Sequence, residues 1–212
     1  SGQITPRHLL HHTTGIPSWS IAGDGASLKA HVAALADAPS STALGERHAY
    51  ASPNYQVLGL LVETLSGQSF GAYVQRHIFT PLGMTGSHTS PPKGTDASVM
   101  ACGHRYWFGF PRQTTLPAEP GRLPAAALIS SAEDMARYLS ALLDAGRGKT
   151  RSLLSPRGFE QIFTGGTEGK SFAYAMGWRR GPIRGVPAIH HGGHLYHFRG
   201  KMILLPDHDR GV

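Results

Sequence analysis

Two short stretches carry the residues best suited to chemistry. In "HAYASPNYQVLG", Tyr50 and Ser52 stand one residue apart just ahead of a helix start; in "HHGGH", His190 and His191 are followed by Gly192, Gly193 and His194. A tyrosine can exchange protons with a nucleophile when a neighbouring cation lowers its pKa, and a helix N-terminus close by adds positive potential. Ser52 precedes Pro53, which is the arrangement of an N-cap, so its hydroxyl is expected to hold a free helix N–H, with any ligand contact additional. Glycines after a histidine let a substrate lie against a strand and take backbone hydrogen bonds, and such N–H groups can form half of an oxyanion hole.

These groups need elements to position them. A hydroxyl residue followed by proline marks a helix start three times, at Thr5-Pro6, Ser52-Pro53 and Ser155-Pro156, and the first two segments run to Gly15 and Gly67. In the second, Leu58, Leu61, Val62 and Leu65 recur at helical spacing and predict a core-facing stripe. Further helices are expected at about residues 27 to 37, 69 to 78 and 131 to 145. In the last of these, Ser130 and Glu133 form a capping-box pattern and Met135, Leu139 and Leu142 face inward.

Between residues 84 and 129 the periodicity disappears, and a stretch of that length commonly shapes a site. Its "HRYWFGFPR" segment places Trp107 and Phe108 as candidates for a pocket rim; the alternative is a loop that turns its aromatics into the core. After residue 172 the pattern becomes that of antiparallel strands, "FAYAMGWRR", "VPAIHHGGH" and "FRGKMILLPD", parted by "GPIRG", "GG" and "DHDRG" turns. The expected organisation is a mainly helical region over 1 to 171 and strands over 172 to 212, together one α+β unit.

Composition narrows the function classes. With 212 residues and 40% hydrophobic content the chain can bury a core, while 27 glycines and 15 prolines imply many turns. The formal charge of +7 arises from 13 acidic against 20 basic residues, and the bases are scattered rather than striped, so nucleic-acid binding is not expected. Cys102 is the only cysteine, which excludes an internal disulfide and a cysteine-based zinc knuckle. No apolar run approaches the ~20 residues of a membrane span, and residues 1 to 30 lack a signal-peptide pattern. Compartment and oligomeric state stay open at this level.

Read in chain order, "ITPRHLLHHTTGIPSW", "YASPNYQVLGLLVETLSG", "PLGMTGSHTS", "ISSAEDMARYLSALLDAG" and "IHHGGHLYHFRGKMILLPD" resemble the serine β-lactamase-like superfamily. That group includes class C β-lactamases, D-alanyl-D-alanine carboxypeptidases, D-aminopeptidases and family VIII carboxylesterases. The resemblance implies a β-lactamase/transpeptidase-like fold, no cofactor, and a small-molecule substrate that is an ester, a D-peptide or a β-lactam. It also implies roles. The family's Tyr-x-Asn/Ser element falls on Tyr50 and Ser52, and its Lys/His-x-Gly strand falls on His191 and Gly193, with the N–H of His194 as oxyanion donor. His190 with Gly192 fits the bare pattern too; His191 is preferred because the family's later aromatic then lands on Phe198. His11 and His12 match structural positions. Three departures stand out: Ser52 replaces a frequent Asn, Tyr196-His197 replaces a frequent Pro-Gly and should reshape the rim, and "AAALISS" lacks a common Gly-Gly.

A covalent mechanism of this kind needs Ser-x-x-Lys on one helical turn. Ser90-Pro91-Pro92-Lys93 is the only such spacing, and consecutive prolines cannot lie inside a regular helix. The expectation is therefore a serine hydrolase, carboxylesterase-like by preference, whose nucleophile lies outside these residues, with the sequence an internal portion of a longer protein. Two other classes remain. A non-catalytic binding protein can occupy the same scaffold, and a metal-dependent hydrolase is suggested by 13 histidines, including His8 and His12 at i, i+4 spacing, although no HExxH accompanies them.

Overall fold

The computed structural model describes residues 3–18, 25–91, 100–114, 119–149, 153–164, 166–168 and 172–212. Lys93 and Trp19 lie outside the described residues.

Helices dominate the first part. Helix α1 (Pro6–Leu10) starts as expected: the Thr5 hydroxyl accepts from the His8 N–H, and His8 Nδ1 in turn accepts from the Thr5 N–H at 3.2 Å. It is shorter than its sequence pattern, because at His12 the chain turns left-handed (φ 54°). His8 and His12 therefore do not share a helical face. Helix α2 (Leu28–Ala33) is capped by Ser27 and is also shorter than expected. Helix α3 (Pro53–Ser66) ends on left-handed Gly67. Helix α4 (Phe70–Val74) continues through a π-helical turn (Gln75–Phe79) into α5 (Thr80–Leu82).

The stripe expected on α3 is rotated. Its buried residues are Pro53, Asn54, Gln56 and Gly59, and Leu65 is exposed. Hydrogen bonds and close approach set the packing: Gln56 Nε2 donates to the Gly121 carbonyl at 2.8 Å, and a Cβ at Gly59 would meet Pro124 Cγ at 2.2 Å. Val57 and Leu61 instead line an apolar groove of about 450 Å3 with Ile4, Leu9, Ile16 and Val32.

The segment from 84 to 129 is not structureless. Strands β1 (Gly103–Trp107) and β2 (Phe110–Thr114) form a hairpin, followed by a 3-10 turn (Pro120–Arg122). Its aromatics point outward, contrary to the loop-over-core alternative.

Helix α6 (Ala132–Gly146) is capped one residue later than its pattern suggests: Ser131, not Ser130, accepts from the Asp134 N–H. Ser130 is drawn instead to Ser87 (Oγ to Oγ 2.8 Å), while Asp134 accepts from Ser87 Oγ and the Gly86 N–H, pinning the chain after α5 to α6. Helix α7 (Pro156–Phe163) has the expected Ser155 cap.

The sheet is a six-stranded antiparallel meander of β3 (Thr167–Glu168), β4 (Ala173–Tyr174), β5 (Arg179–Ile183), β6 (Val186–Leu195), β7 (Phe198–Leu205) and β8 (Arg210–Gly211), in chain order. Its first strand thus precedes residue 172. Gly192-Gly193 is not a turn but lies within β6, paired with Lys201 and Gly200. Leu139 and Leu142 of α6, Phe163 of α7, and Trp178, Ile189 and Leu204 from the sheet side form the main core; Met135 is only half-buried. A second cluster of Val74, Phe79 and Met84 reaches α6 through Tyr138.

Candidate active site

The Tyr50–Ser52 segment is held in place by one residue far upstream. His12 is fully buried, and its carbonyl accepts from the Ala49 N–H at 2.8 Å while its Nδ1 accepts from the Ala51 N–H at 3.1 Å. Asn54 Nδ2 lies 3.0 Å from the same Nδ1, and the Thr14 hydroxyl donates to Asn54 Oδ1 at 2.7 Å. With Nδ1 accepting, the ring carries its proton on Nε2 and donates to the Tyr174 hydroxyl, 3.1 Å away. The Tyr55 hydroxyl donates to the Leu10 carbonyl at 3.3 Å. Burial pushes both phenols up, so both remain protonated donors, and burial together with His48 and His191 lowers the His12 pKa to about 3.

Because Ala51 gives its N–H to His12, the entry to α3 is shaped from outside. Ser52 itself has helical angles (φ −53°, ψ −37°) and its side chain makes no capping hydrogen bond, which corrects the N-cap expectation. A serine needs extended backbone angles to fold its hydroxyl back over the first turn. Its hydroxyl is left for other partners.

Tyr50 is 42% exposed and lies against His12, with ring centroids 4.3 Å apart. On its other side is β6: the His191 ring is 6.4 Å from that of Tyr50 and 6.4 Å from that of Tyr174. His190, the preceding residue, pairs in register with Arg179 and Ile203. Burial first, then Arg179 and His190, lowers the His191 pKa, which favours the neutral ring, a hydrogen-bonding group rather than a cation. His48, whose ring is 4.7 Å from Tyr174, is lowered by burial and by Arg179. Among the described residues, His191 Nε2, His48 Nε2 and Arg179 Nε are buried without a hydrogen-bond partner, a concentration of unanswered polar atoms around Tyr174.

Gly192 and Gly193 continue β6 past His191 and are exposed. A Cβ at Gly193 would meet nothing within 4 Å, so the fold does not demand glycine there; its bareness leaves room for a chain laid along the strand. His194 follows, paired with Arg199. Tyr196, left-handed at φ 51° in the β6–β7 turn, donates to Glu119, which also pairs with Arg122 at 2.7 Å. Tyr196 is thereby tied to the 119–122 segment. Trp107 and Phe108 are at the tip of the β1–β2 hairpin, whereas the contact with the site side comes from its base: a Cβ on Gly103 would lie 3.1 Å from His197 and from Phe198.

The structure thus brings Tyr50 and His191 together, with Ser52 two residues beyond Tyr50 and Gly192–His194 continuing the strand past His191, and adds His12, Tyr55 and Tyr174, which no local pattern marked as a support. No group of three or more His, Cys, Asp or Glu able to hold a metal occurs among the described residues. Likewise, no described helix is long and apolar enough to cross a membrane.

Comparisons agree with this architecture. The unguisins hydrolase ungD' of Aspergillus campestris (strain IBT 28561) is 28% identical over 223 residues, covering 97% of this chain and 41% of that protein. Protein flp of Staphylococcus aureus (strain MRSA252) is 27% identical over 215 residues, covering 99% and 42%. The chain therefore spans about four tenths of the length of these relatives. The fold matches a D-stereospecific amidohydrolase from Streptomyces sp. with a TM-score of 0.79 at 20% identity, over 98% of this chain and 66% of that one. The Beta-lactamase family model matches residues 1–212, and the chain belongs to that family, within a superfamily of serine hydrolases.

Proposed function

We propose that these residues form part of an acyl-transfer site in a serine hydrolase, with esters preferred over D-amino-acid peptides and β-lactams. The observation that carries the reading is the placement of Tyr50 beside His191 at the start of the open Gly192-Gly193 strand. The nucleophile is a serine from a Ser-x-x-Lys outside these 212 residues, since the internal candidate contains Pro91 and Pro92. Its Oγ attacks the acyl carbonyl carbon while its one proton is taken up by the neutral lysine amine, with the Tyr50 hydroxyl shuttling it. The oxyanion rests on the serine N–H and that of His194, and the tetrahedral intermediate expels an alcohol that takes the proton back. Water then cleaves the acyl-serine ester. Neutral His191 supplies a hydrogen bond to the bound substrate, and the Ser52 hydroxyl, free of capping, supplies another. The ester preference rests on Ser52, which has one hydroxyl where a carboxamide would pair both sides of a substrate amide.

The test is labelling with a fluorophosphonate and with fluorescent penicillin, alongside turnover of p-nitrophenyl esters, D-alanyl peptides and nitrocefin by a protein that carries an upstream Ser-x-x-Lys. Label on that serine, and faster ester than peptide or lactam turnover, are expected. The isolated 212 residues should take no label; stoichiometric label on any serine among them overturns the reading. A stoichiometric metal required for turnover would replace it.

A further inference from the structure

The β1–β2 hairpin is built at some expense to its backbone. Trp107 pairs with Phe110, leaving Phe108 and Gly109 as a two-residue turn with φ 46° and 83°, the pattern of a type I′ turn. Gly suits the second position, but the first favours Asn, Asp or Gly, and a bulky phenylalanine held left-handed is an outlier. Burial does not compensate it: Phe108 is 87% exposed, and Tyr106, Trp107 and Phe110 are 81%, 53% and 72% exposed. Large aromatics gathered at one tip at this exposure mark an interaction surface rather than ordinary surface scatter.

The charges flanking that tip are of one sign. Arg105 and Arg112 face each other in the hairpin register, two residues behind Trp107 and Phe110 on the same side of the ribbon. The Arg105 guanidinium lies 5.4 Å from the Trp107 ring centre. No Asp or Glu occurs between Gly103 and Thr114. At ~3.3 Å per residue the arginines stand roughly 7 Å behind the aromatic pair. That spacing matches a bilayer interface, where aromatic side chains enter ~5–10 Å into the headgroup and acyl boundary and arginines meet the phosphates.

We propose that this hairpin docks the protein on the surface of a membrane containing anionic lipid, with Trp107, Phe108 and Phe110 inserted at the interface and Arg105 and Arg112 on lipid phosphates. The match is one of charge as well as shape: a tip free of acids, on a chain of formal charge +7, meets a surface of opposite sign. The hydrophobic insertion and the electrostatic attraction act together, since one weak anchor alone gives only marginal binding.

The test is sedimentation of purified protein with vesicles of phosphatidylcholine alone or with about a quarter phosphatidylglycerol, at low and high salt. Wild-type protein should bind the anionic vesicles, with binding weakened by salt. Arg105→Gln with Arg112→Gln should bind about 30-fold more weakly, at ~1 kcal/mol per arginine. Phe108→Asn separates docking from folding: asparagine accepts the left-handed turn, so this variant should unfold at higher denaturant while binding vesicles less. Equal binding by wild type and Phe108→Asn overturns the proposal, as does failure of wild type to sediment with anionic vesicles. A concentration-dependent dimer that Phe108→Asn abolishes, without vesicle binding, would assign the tip to a protein interface and sink the proposal equally.

Discussion

Around His12, the rings of His48, Tyr50, Tyr55 and Tyr174 close on one another, whereas in the 103–114 hairpin rings of equal or greater size stand in the open. Both regions combine aromatic, histidine and arginine residues. They differ in where the polar partners come from. At His12 the ring nitrogens meet Ala51, Asn54 and Tyr174 from distant parts of the chain, so burial costs the His12 ring no hydrogen bonds and that ring becomes a support. In the hairpin the contacts of Trp107 are with Arg105 and Phe108, its own neighbours, and among the described residues no contact draws the tip inward. Aromatic content alone therefore does not say which region is core; the distribution of hydrogen-bond partners does.

The largest effect should come where support meets chemistry. Tyr50→Phe keeps the ring beside His12 and removes the hydroxyl, so kcat/KM for esters should fall about 10²–10⁴-fold while the urea midpoint hardly moves. His12→Ala should behave inversely at first: it strands the Ala51 N–H, Asn54 and Tyr174, and should lower stability by about 3 kcal/mol or more, measured by denaturant unfolding. Activity then falls only as a consequence.

The protonation of His12 sharpens the contrast further. Its folded pKa of about 3 lies below the ordinary 6.5, so between those values the unfolded chain binds the extra proton. The stabilisation is whole above pH 6.5 and declines as pH falls, by up to roughly 1.4 kcal/mol per unit. Unfolding curves at a series of pH values should show that slope in wild type and a reduced one in His12→Asn. Changes with the least effect on stability should be those in open regions. Gly193→Ala, where a Cβ meets nothing, should shift stability by less than ~1 kcal/mol yet slow ester turnover about tenfold or more. Tyr106→Thr at the exposed hairpin should leave both stability, within ~0.5 kcal/mol, and turnover in solution unchanged.

Much of this was legible in the sequence, for reasons visible residue by residue. Thr5-Pro6 and Ser155-Pro156 state their helix starts because cap and proline act locally. Ser52-Pro53 uses the same two letters without the cap, since the hydrogen bond that decides it comes from His12, 39 residues away from Ala51. Ser130 and Ser131 are equivalent by pattern, and Ser87 breaks the tie. The hairpin was hidden because its turn reads Phe-Gly rather than Asn-Gly. Tyr50 and His191 were visible through family motifs, but Tyr174 sits in "FAYAM" with no local sign that its hydroxyl meets His12.

The meander topology bears on the order in which the molecule assembles. Every sheet neighbour is also a chain neighbour, so β3 to β8 can pair by closing short loops one after another. The His12–Tyr174 hydrogen bond instead joins residues 162 apart, and even the Ala51–His12 bond spans 39, so the support behind Tyr50 closes longer loops than the sheet does. Pulsed hydrogen exchange during refolding should accordingly find β5 to β7 amides protected before the Ala51 amide. The setting of Tyr50 would then be completed only once the rest of the domain has vouched for itself.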